Sequence, residues 1–254
     1  MSTAMDLTLI GFGSQAKIYR SGNNAIKIFV DKYWYEKERD ILLNIGTLYG
    51  VINMIDHDDV KQTITLPLAE LDLYDWMFKD QSLKNIATVM IKLIHALQNL
   101  HDYGYVHRDI KPENILIINA KTLDVVISDL AFCVPIDSKR GMAGTKGYIA
   151  PEVSAYHKYN GREDIYALAC VWFELLRNSS STHYIHKEMW EKAQDLEKYR
   201  NLDMALDYLT EIWEECEAQS NITEINIDKV PKLSICQNTS EVNKLIYSSS
   251  DITE

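Results

Sequence analysis

Between positions 107 and 114 the chain reads His-Arg-Asp-Ile-Lys-Pro-Glu-Asn, directly before an apolar, strand-like run. A simple polar turn ahead of a strand would not need Asp109, Lys111 and Asn114 at those spacings. Acid, cation and amide together suit chemistry that works by alignment and charge neutralisation more than by covalent attack. Fifteen residues beyond Asn114, the strand-like run VVIS ends in Asp129. A carboxylate at a strand end beside an asparagine offers the hard oxygen ligands that a small divalent cation takes. Upstream, Gly11-Phe12-Gly13-Ser14-Gln15-Ala16 lies between two strand-like runs, and Lys27 follows Gly13 by fourteen residues in Ala25-Ile26-Lys27. Alone the glycines read as a hairpin turn; with the lysine behind them a turn-only reading is poor.

The octapeptide matches, over its whole length, the catalytic-loop signature of eukaryotic protein kinases, and the chain resembles the Ser/Thr class of that family. That resemblance implies ATP and Mg2+ as cofactors. It gives Asp109 the role of accepting or orienting the substrate hydroxyl proton and sets Lys111 against the γ-phosphate. It also gives Asn114 and Asp129 the magnesium ion. Asp129-Leu130-Ala131 stands where the family has Asp-Phe-Gly, and the alanine restricts the backbone there. Gly11 and Gly13 resemble the glycine-rich loop, its third glycine replaced by Ala16, while Ala25 and Lys27 match the strand lysine motif that pairs with the α- and β-phosphates. The helical partner of Lys27 is Glu38, with Glu36 as the alternative. Asp72 stands where the family often places an acid on the ribose, and a helix-capping role fits it equally well.

Gly144-Thr145-Lys146-Gly147-Tyr148-Ile149-Ala150-Pro151-Glu152 resembles the peptide platform ending in Ala-Pro-Glu. Twelve residues on, Asp164 would brace the His107-Arg108 turn. Lys111 together with Thr145 resembles Ser/Thr rather than tyrosine kinases, so the implied partner is a protein substrate. Counted back from Ala-Pro-Glu, the usual phosphosite falls near Gly141, which cannot be phosphorylated. Arg108 would normally receive that phosphate, so either Ser138 substitutes or the loop is ordered without phosphorylation. Glu152 normally pairs with a later arginine, and nothing after Arg200 can serve, which implies a divergent end to the larger lobe. Ala16, Ala131 and Ala169 in place of glycines motivate a rival reading, an inactive ATP-binding scaffold or regulator of the same fold. Against it stand Lys27, Asp109, Lys111, Asn114 and Asp129, all present.

The elements that would position these residues fall into two groups. LTLIGFG, AKIYR, AIKIF, VINMI and QTITLPL read as strands separated by turns, interrupted by a helix over 33–45 with Tyr35, Ile41, Leu42 and Ile45 for burial. From Ser82 the period becomes helical through Leu100, with Gly104 ending that helix. Strands at 115–118 and 125–128 follow, then helices at about 162–177 and 187–219. The expected class is α+β: a bilobal, protein-kinase-like fold with a small antiparallel-sheet lobe carrying one helix and a larger, mainly helical lobe. We expect one domain over 1–254, with the small lobe at about 1–70, the large lobe at 71–225, and a divergent, partly irregular end at 226–254.

A composition of 46% hydrophobic and 25% charged residues over 254 positions is that of a folded chain with a sizeable core. A net charge of −11 argues against a phosphate-tracking nucleic-acid binder and mildly favours a basic peptide partner. The four cysteines form no CxxC pair, and His183-x-x-His186, with no carboxylate or cysteine nearby, reads as surface or capping rather than metal-binding. No apolar run approaches the roughly 20 residues of a membrane span, and the N-terminus lacks the pattern of a secretory signal. The expected location is the cytosol or nucleus, with no membrane partner.

Overall fold

In a computed structural model, residues 7–79, 81–179 and 184–219 are described. The chain divides into two units, Met1–Thr223 and Glu224–Glu254, and the second lies outside the described residues, as does the expected irregular end. The first unit is α+β. It opens with an antiparallel sheet of strands β1 (Thr8–Phe12), β2 (Ala16–Ser21), β3 (Asn24–Phe29), β4 (Asp56–Asp58) and β5 (Thr63–Pro67), in the order β1-β2-β3-β5-β4. Alternation holds in β3, where Ala25, Lys27 and Phe29 point inward, and Lys27 faces Ile18 on β2 and Ile64 on β5.

Helix α1 (Lys32–Ile45) starts where the Asp31 side chain accepts a hydrogen bond from Trp34 N at 3.1 Å. Its buried face is Tyr35, Glu38, Ile41, Leu42 and Ile45, three or four residues apart, with a carboxylate set into an otherwise apolar stripe. The expected strand at VINMI does not form. Val51 and Ile52 are both buried, so the run packs on consecutive residues instead of alternating, and it docks on the other sheet through Ile52 N to Ile127 O (2.9 Å) and Ile127 N to Gly50 O (2.8 Å). The strand comes later, as β4.

The chain then forms β6 (Leu71–Asp72), the short helix α2 (Leu73–Met77) and the long helix α3 (Leu83–Asp102), capped by Ser82. Leu83, Ile86, Ala87, Met90, Leu93, Ile94, Leu97 and Leu100 are all buried, as their spacing predicts. Gly104 N closes onto His101 O just past the helix end. Strands β7 (Tyr105–Val106), β8 (Ile115–Asn119), β9 (Asp124–Ile127) and β10 (Val134–Pro135) form two small sheets, β6-β8-β9 and β10-β7, and β11 (Lys139–Arg140) pairs with β12 (His157–Lys158). Helices α4 (Arg162–Arg177), α5 (Tyr184–Tyr199) and α6 (Leu202–Gln219) complete the unit, with α4 running through the larger core beside α3 and α5. The expected helical stretch after 187 is two helices, broken at Arg200, whose φ is +53°. None of the described helices is long and apolar enough to cross a membrane.

Candidate active site

The loop between β7 and β8 carries His107 to Asn114, and its backbone is held from below. Asp164, in the first turn of α4, accepts from His107 N (2.7 Å), Arg108 N (2.8 Å) and His101 Nε2 (2.9 Å). Burial opposes a charge on Asp164, but His101 and the amides outweigh it and hold its carboxyl below the usual range. That grip keeps Arg108 at φ +69°, a conformation a non-glycine residue holds only when its surroundings over-determine it. Gly161, at φ +93°, leaves room for His101: a Cβ there would come within 2.9 Å of the imidazole ring. His107 Nδ1 accepts from the Asp109 N–H (3.2 Å), so Nε2 carries the proton and donates to Ser128 O (3.0 Å). One neutral imidazole thereby ties the loop to the strand end that presents Asp129.

Asp109 is 4% exposed and sits among donors. Thr145 Oγ1 donates to its Oδ1 (2.7 Å) and accepts from Lys111 Nζ (2.7 Å), while Lys111 lies 3.3 Å from Asp109 Oδ2. Asn114 Nδ2 donates to both the backbone O and Oδ2 of Asp109, each at 2.9 Å. That orientation spends the amide nitrogen on Asp109 and turns the amide oxygen the other way. The Gly144–Thr145 pair is seated tightly: Gly144 has φ +119°, and a Cβ there would be 2.6 Å from Arg108 O.

Lys27 Nζ bridges Glu38 Oε2 (2.6 Å) and Asp129 Oδ1 (2.8 Å). Burial acts against the Lys27 charge, but two carboxylates outweigh it and raise the ammonium above its ordinary range. Burial pushes the Glu38 carboxyl up to about 7, against the pull of Lys27, and its Oε1 has no hydrogen-bond partner. For Asp129 burial likewise opposes ionisation, yet Lys27 holds it below the usual carboxylate range, and 33% of the side chain remains exposed. The alternative partner, Glu36, lies on the outer face of α1 and pairs with Lys32 at 3.4 Å.

The donor set suits a small hard cation. Asp129 stays ionised, the Asn114 amide oxygen is turned away from Asp109, and the strand end binds back through Ser128 N and Oγ to Asn114 O (2.8 and 3.0 Å). Two protein ligands are enough for magnesium, which keeps waters and substrate phosphate oxygens in the rest of its octahedron. Among the described residues no group of three or more His, Cys, Asp or Glu is arranged to hold a metal. His183 lies outside the described residues, and His186 Nε2 bonds the Leu176 carbonyl at 2.8 Å, a capping contact.

Gly11 lies in β1 and Gly13 opens the β1–β2 turn, closed by Gly13 N to Ala16 O (2.9 Å), with Phe12 exposed between the two glycines. Gly11 and Gly13 have space for a side chain and neither takes a positive φ. Ala16, Ala131 and Ala169 are buried without positive φ, so none of the three replacements strains the backbone. Ala25 is buried on β3 opposite Arg20, at the other end of β2 from that turn. Asp72 caps α2, accepting from Asp75 N at 2.7 Å; burial pushes its carboxyl up, Asp75 and Glu113 adding to that and the cap bond opposing it.

Three features escaped the motif reading. His101 is the third donor on Asp164, Trp34 packs edge-on against Phe132 (5.3 Å), and Tyr159 lies under Arg108 (4.9 Å). No spacing rule points to an aromatic that meets its partner only through the fold. For Glu152 the chain offers no arginine beyond Arg200. Arg200 itself reaches it at 3.3 Å, because the chain reverses between α5 and α6 and turns that side chain inward.

Residues 6–248 match the protein kinase domain family. The chain belongs to that family. Relatives of this protein kinase domain include Aurora kinase C of Mus musculus, 32% identical over 165 residues that cover 63% of this chain and 54% of the relative. Serine/threonine-protein kinase ppk16 of Schizosaccharomyces pombe is 37% identical over 190 residues, 66% of this chain and 28% of the relative. The serine/threonine-protein kinase/endoribonuclease ire-1 of Caenorhabditis elegans is 29% identical over 189 residues, 66% of this chain and 19% of the relative. The kinase domain described here thus spans about half or less of the length of these relatives.

Proposed function

We propose that the chain transfers the γ-phosphate of ATP to Ser or Thr hydroxyls of protein substrates. The observation that supports this best is the joint presence of the Lys27–Glu38–Asp129 bridge and the Asp109–Thr145–Lys111 ring, tied together by His107 between Asp109 N and the Ser128 carbonyl. A buried ammonium held ready between carboxylates, and a proton acceptor beside a second ammonium, are what an in-line transfer between phosphate and hydroxyl needs.

In this reading Lys27 binds the α- and β-phosphates, leaving Glu38 to hold its ammonium in place. The β1–β2 turn with Gly11 and Gly13 covers the phosphates, Ala25 lies under the base, and Asp72 faces the ribose while capping α2. Asn114 and Asp129 would hold Mg2+, which supplies charge neutralisation on the phosphate oxygens when bound. The acceptor hydroxyl takes the place of Thr145 Oγ1 as a donor to Asp109, which receives its proton as the new O–P bond forms and the bond to the departing ADP breaks. Lys111 balances the charge on the transferred group. Thr145 and Lys111 frame an acceptor that carries its hydroxyl on a short side chain, the basis for Ser and Thr over Tyr. The net charge of −11 favours a basic peptide context. We place the chain in the cytosol or nucleus, where the free thiols of Cys133, Cys170 and Cys216 stay reduced; cell fractionation tests that.

Label transfer from γ-labelled ATP and Mg2+ to a basic Ser/Thr peptide library is the direct experiment, run beside Asp109→Asn. Label on Ser or Thr that vanishes in the variant is expected. ATP binding by thermal shift with no transfer from the native chain would replace this reading with that of a nucleotide-binding scaffold.

A further inference from the structure

Arg108 forms no ion pair among the described residues, although its guanidinium sits at the junction of the catalytic loop and the segment 129–152. Its Nε donates to Phe132 O (2.7 Å) and its Nη1 to Gly141 O (3.1 Å). The guanidinium carbon lies 4.9 Å from the centroid of the Tyr159 ring, and that residue is 1% exposed. The Tyr159 hydroxyl donates to the same Gly141 carbonyl at 3.2 Å. The Tyr159 backbone is fixed in turn: its carbonyl accepts from Asp137 N (2.8 Å) and its amide donates to Ser138 O (3.2 Å). The pairing of β11 with β12 continues this clasp. Phe132, whose carbonyl takes Arg108, packs edge-on against Trp34 of α1, the helix that carries Glu38.

A half-buried guanidinium needs acceptors for its forked donors and tolerates an aromatic face where a second anion would otherwise sit. Here carbonyls and a ring meet those needs. Gly141 can carry no phosphate, and Ser138 Oγ is enclosed without a hydrogen-bond partner, out of reach of a modifying enzyme while the loop keeps this form.

We propose that Tyr159 is a positioning residue that, through Arg108 and the Gly141 carbonyl, holds Gly144 and Thr145 against Asp109 and Lys111 in the unphosphorylated chain. This rests on the phosphoryl-transfer reading of the same site. Neutral groups close this segment, so its order needs no phosphate.

The test compares the phosphatase-treated native chain with Tyr159→Leu and Tyr159→Phe, each at full length. Hydrogen exchange is followed over residues 139–147, along with kcat, the KM for ATP and the thermal midpoint. Tyr159→Leu is expected to speed exchange of that segment about tenfold or more and to lower kcat about tenfold, with the ATP KM within about twofold. Tyr159→Phe keeps the ring beneath Arg108 and is expected to stay within about threefold of native. Native exchange and kcat in a folded Tyr159→Leu chain would overturn the proposal. So would loss of segment protection in the native chain on phosphatase treatment, or a Tyr159→Leu defect confined to the thermal midpoint. Exchange is read without any transfer, so a chain that labels nothing yet shows this exchange pattern removes the kinase reading and retains the clasp.

Discussion

Lys27 and Arg108 are both cations at the edge of one cleft, yet the fold satisfies them by opposite means. Lys27 lies between two carboxylates, one of them fully buried with an oxygen left unpaired. Arg108 has no carboxylate partner among the described residues and rests on carbonyls and a phenol ring. The difference follows from what each must do next. On the proposed reading, Lys27 would receive phosphate and Asp129 magnesium, and both would exchange partners during turnover, so their charges are kept close and only partly satisfied. An arginine that fixes the shape of a loop keeps its partners, and neutral groups serve it without a buried anion to desolvate.

The sharpest way to break the ionic half is to neutralise Asp109, the proposed proton acceptor. Asp109→Asn keeps the shape and the Thr145 and Asn114 neighbours but cannot take a proton, and kcat should fall by about 10²–10⁴. Single-turnover label transfer checks this, with the ATP KM near native if Asp109 acts on the acceptor alone. Asp129→Asn should instead raise the concentration of Mg2+ needed for half-maximal rate, which a metal titration of the two variants separates.

The neutral half breaks at Gly144. An alanine there would place its Cβ 2.6 Å from the Arg108 carbonyl at a φ of +119°. Backbone strain of this kind costs about 1–3 kcal/mol, and relieving it moves Thr145 off Asp109. Gly144→Ala should therefore lose stability by urea denaturation and transfer rate together, whereas Gly13→Ala, with nothing within 4 Å of its Cβ, should lose little stability.

This asymmetry also explains how far the sequence could be read. The ionic half is local: His107 to Asn114 is one loop, Asp129 ends the strand paired with the strand that follows it, and Glu38 stands out as a carboxylate within an apolar helical stripe. Helix ends at Ser82, Arg162 and Arg177 were equally legible, since caps and periodicity are short-range signals. The neutral half was not, because Tyr159, Phe132 and Trp34 act through a ring face or a backbone carbonyl that no residue type announces. VINMI misled for a related reason: a β-branched run buried on consecutive residues has strand composition without strand alternation. Nothing in the spacing assigns Arg200 to Glu152 either, because a reversal between two helices supplies that geometry.

The bridge at Lys27 can be sharpened with pH. Glu38 gains a proton as pH falls through about 7, and Lys27 is then left with Asp129 alone. Transfer rate should accordingly decline on the acid side of about 7, reaching roughly a tenth of its plateau one unit lower. Glu38→Gln lacks the titrating group, so its rate should sit low and lose that limb. A native profile flat from about 6 to 8 would mean that Lys27 keeps Glu38 ionised throughout.

Arg200 combines the two solutions and gives the smallest and finest test. It meets the Glu152 carboxylate at 3.3 Å, the Arg162 carbonyl at 2.8 Å and the Glu197 carbonyl, and its guanidinium lies 4.6 Å from the centroid of the Tyr166 ring. The Arg200 side chain is 8% exposed but that of Glu152 is 42% exposed, so solvent screens the ion pair more than the other contacts. If shape is what this arginine maintains, as for Arg108, then Glu152→Gln should cost no more than about 0.5 kcal/mol. Arg200→Ala, which strips both carbonyls and the ring, should cost about 2 kcal/mol. Urea melts of the two single variants and the double variant measure the coupling, and a coupling near the full Arg200→Ala loss would place Arg200 with Lys27 instead, as a cation held by charge.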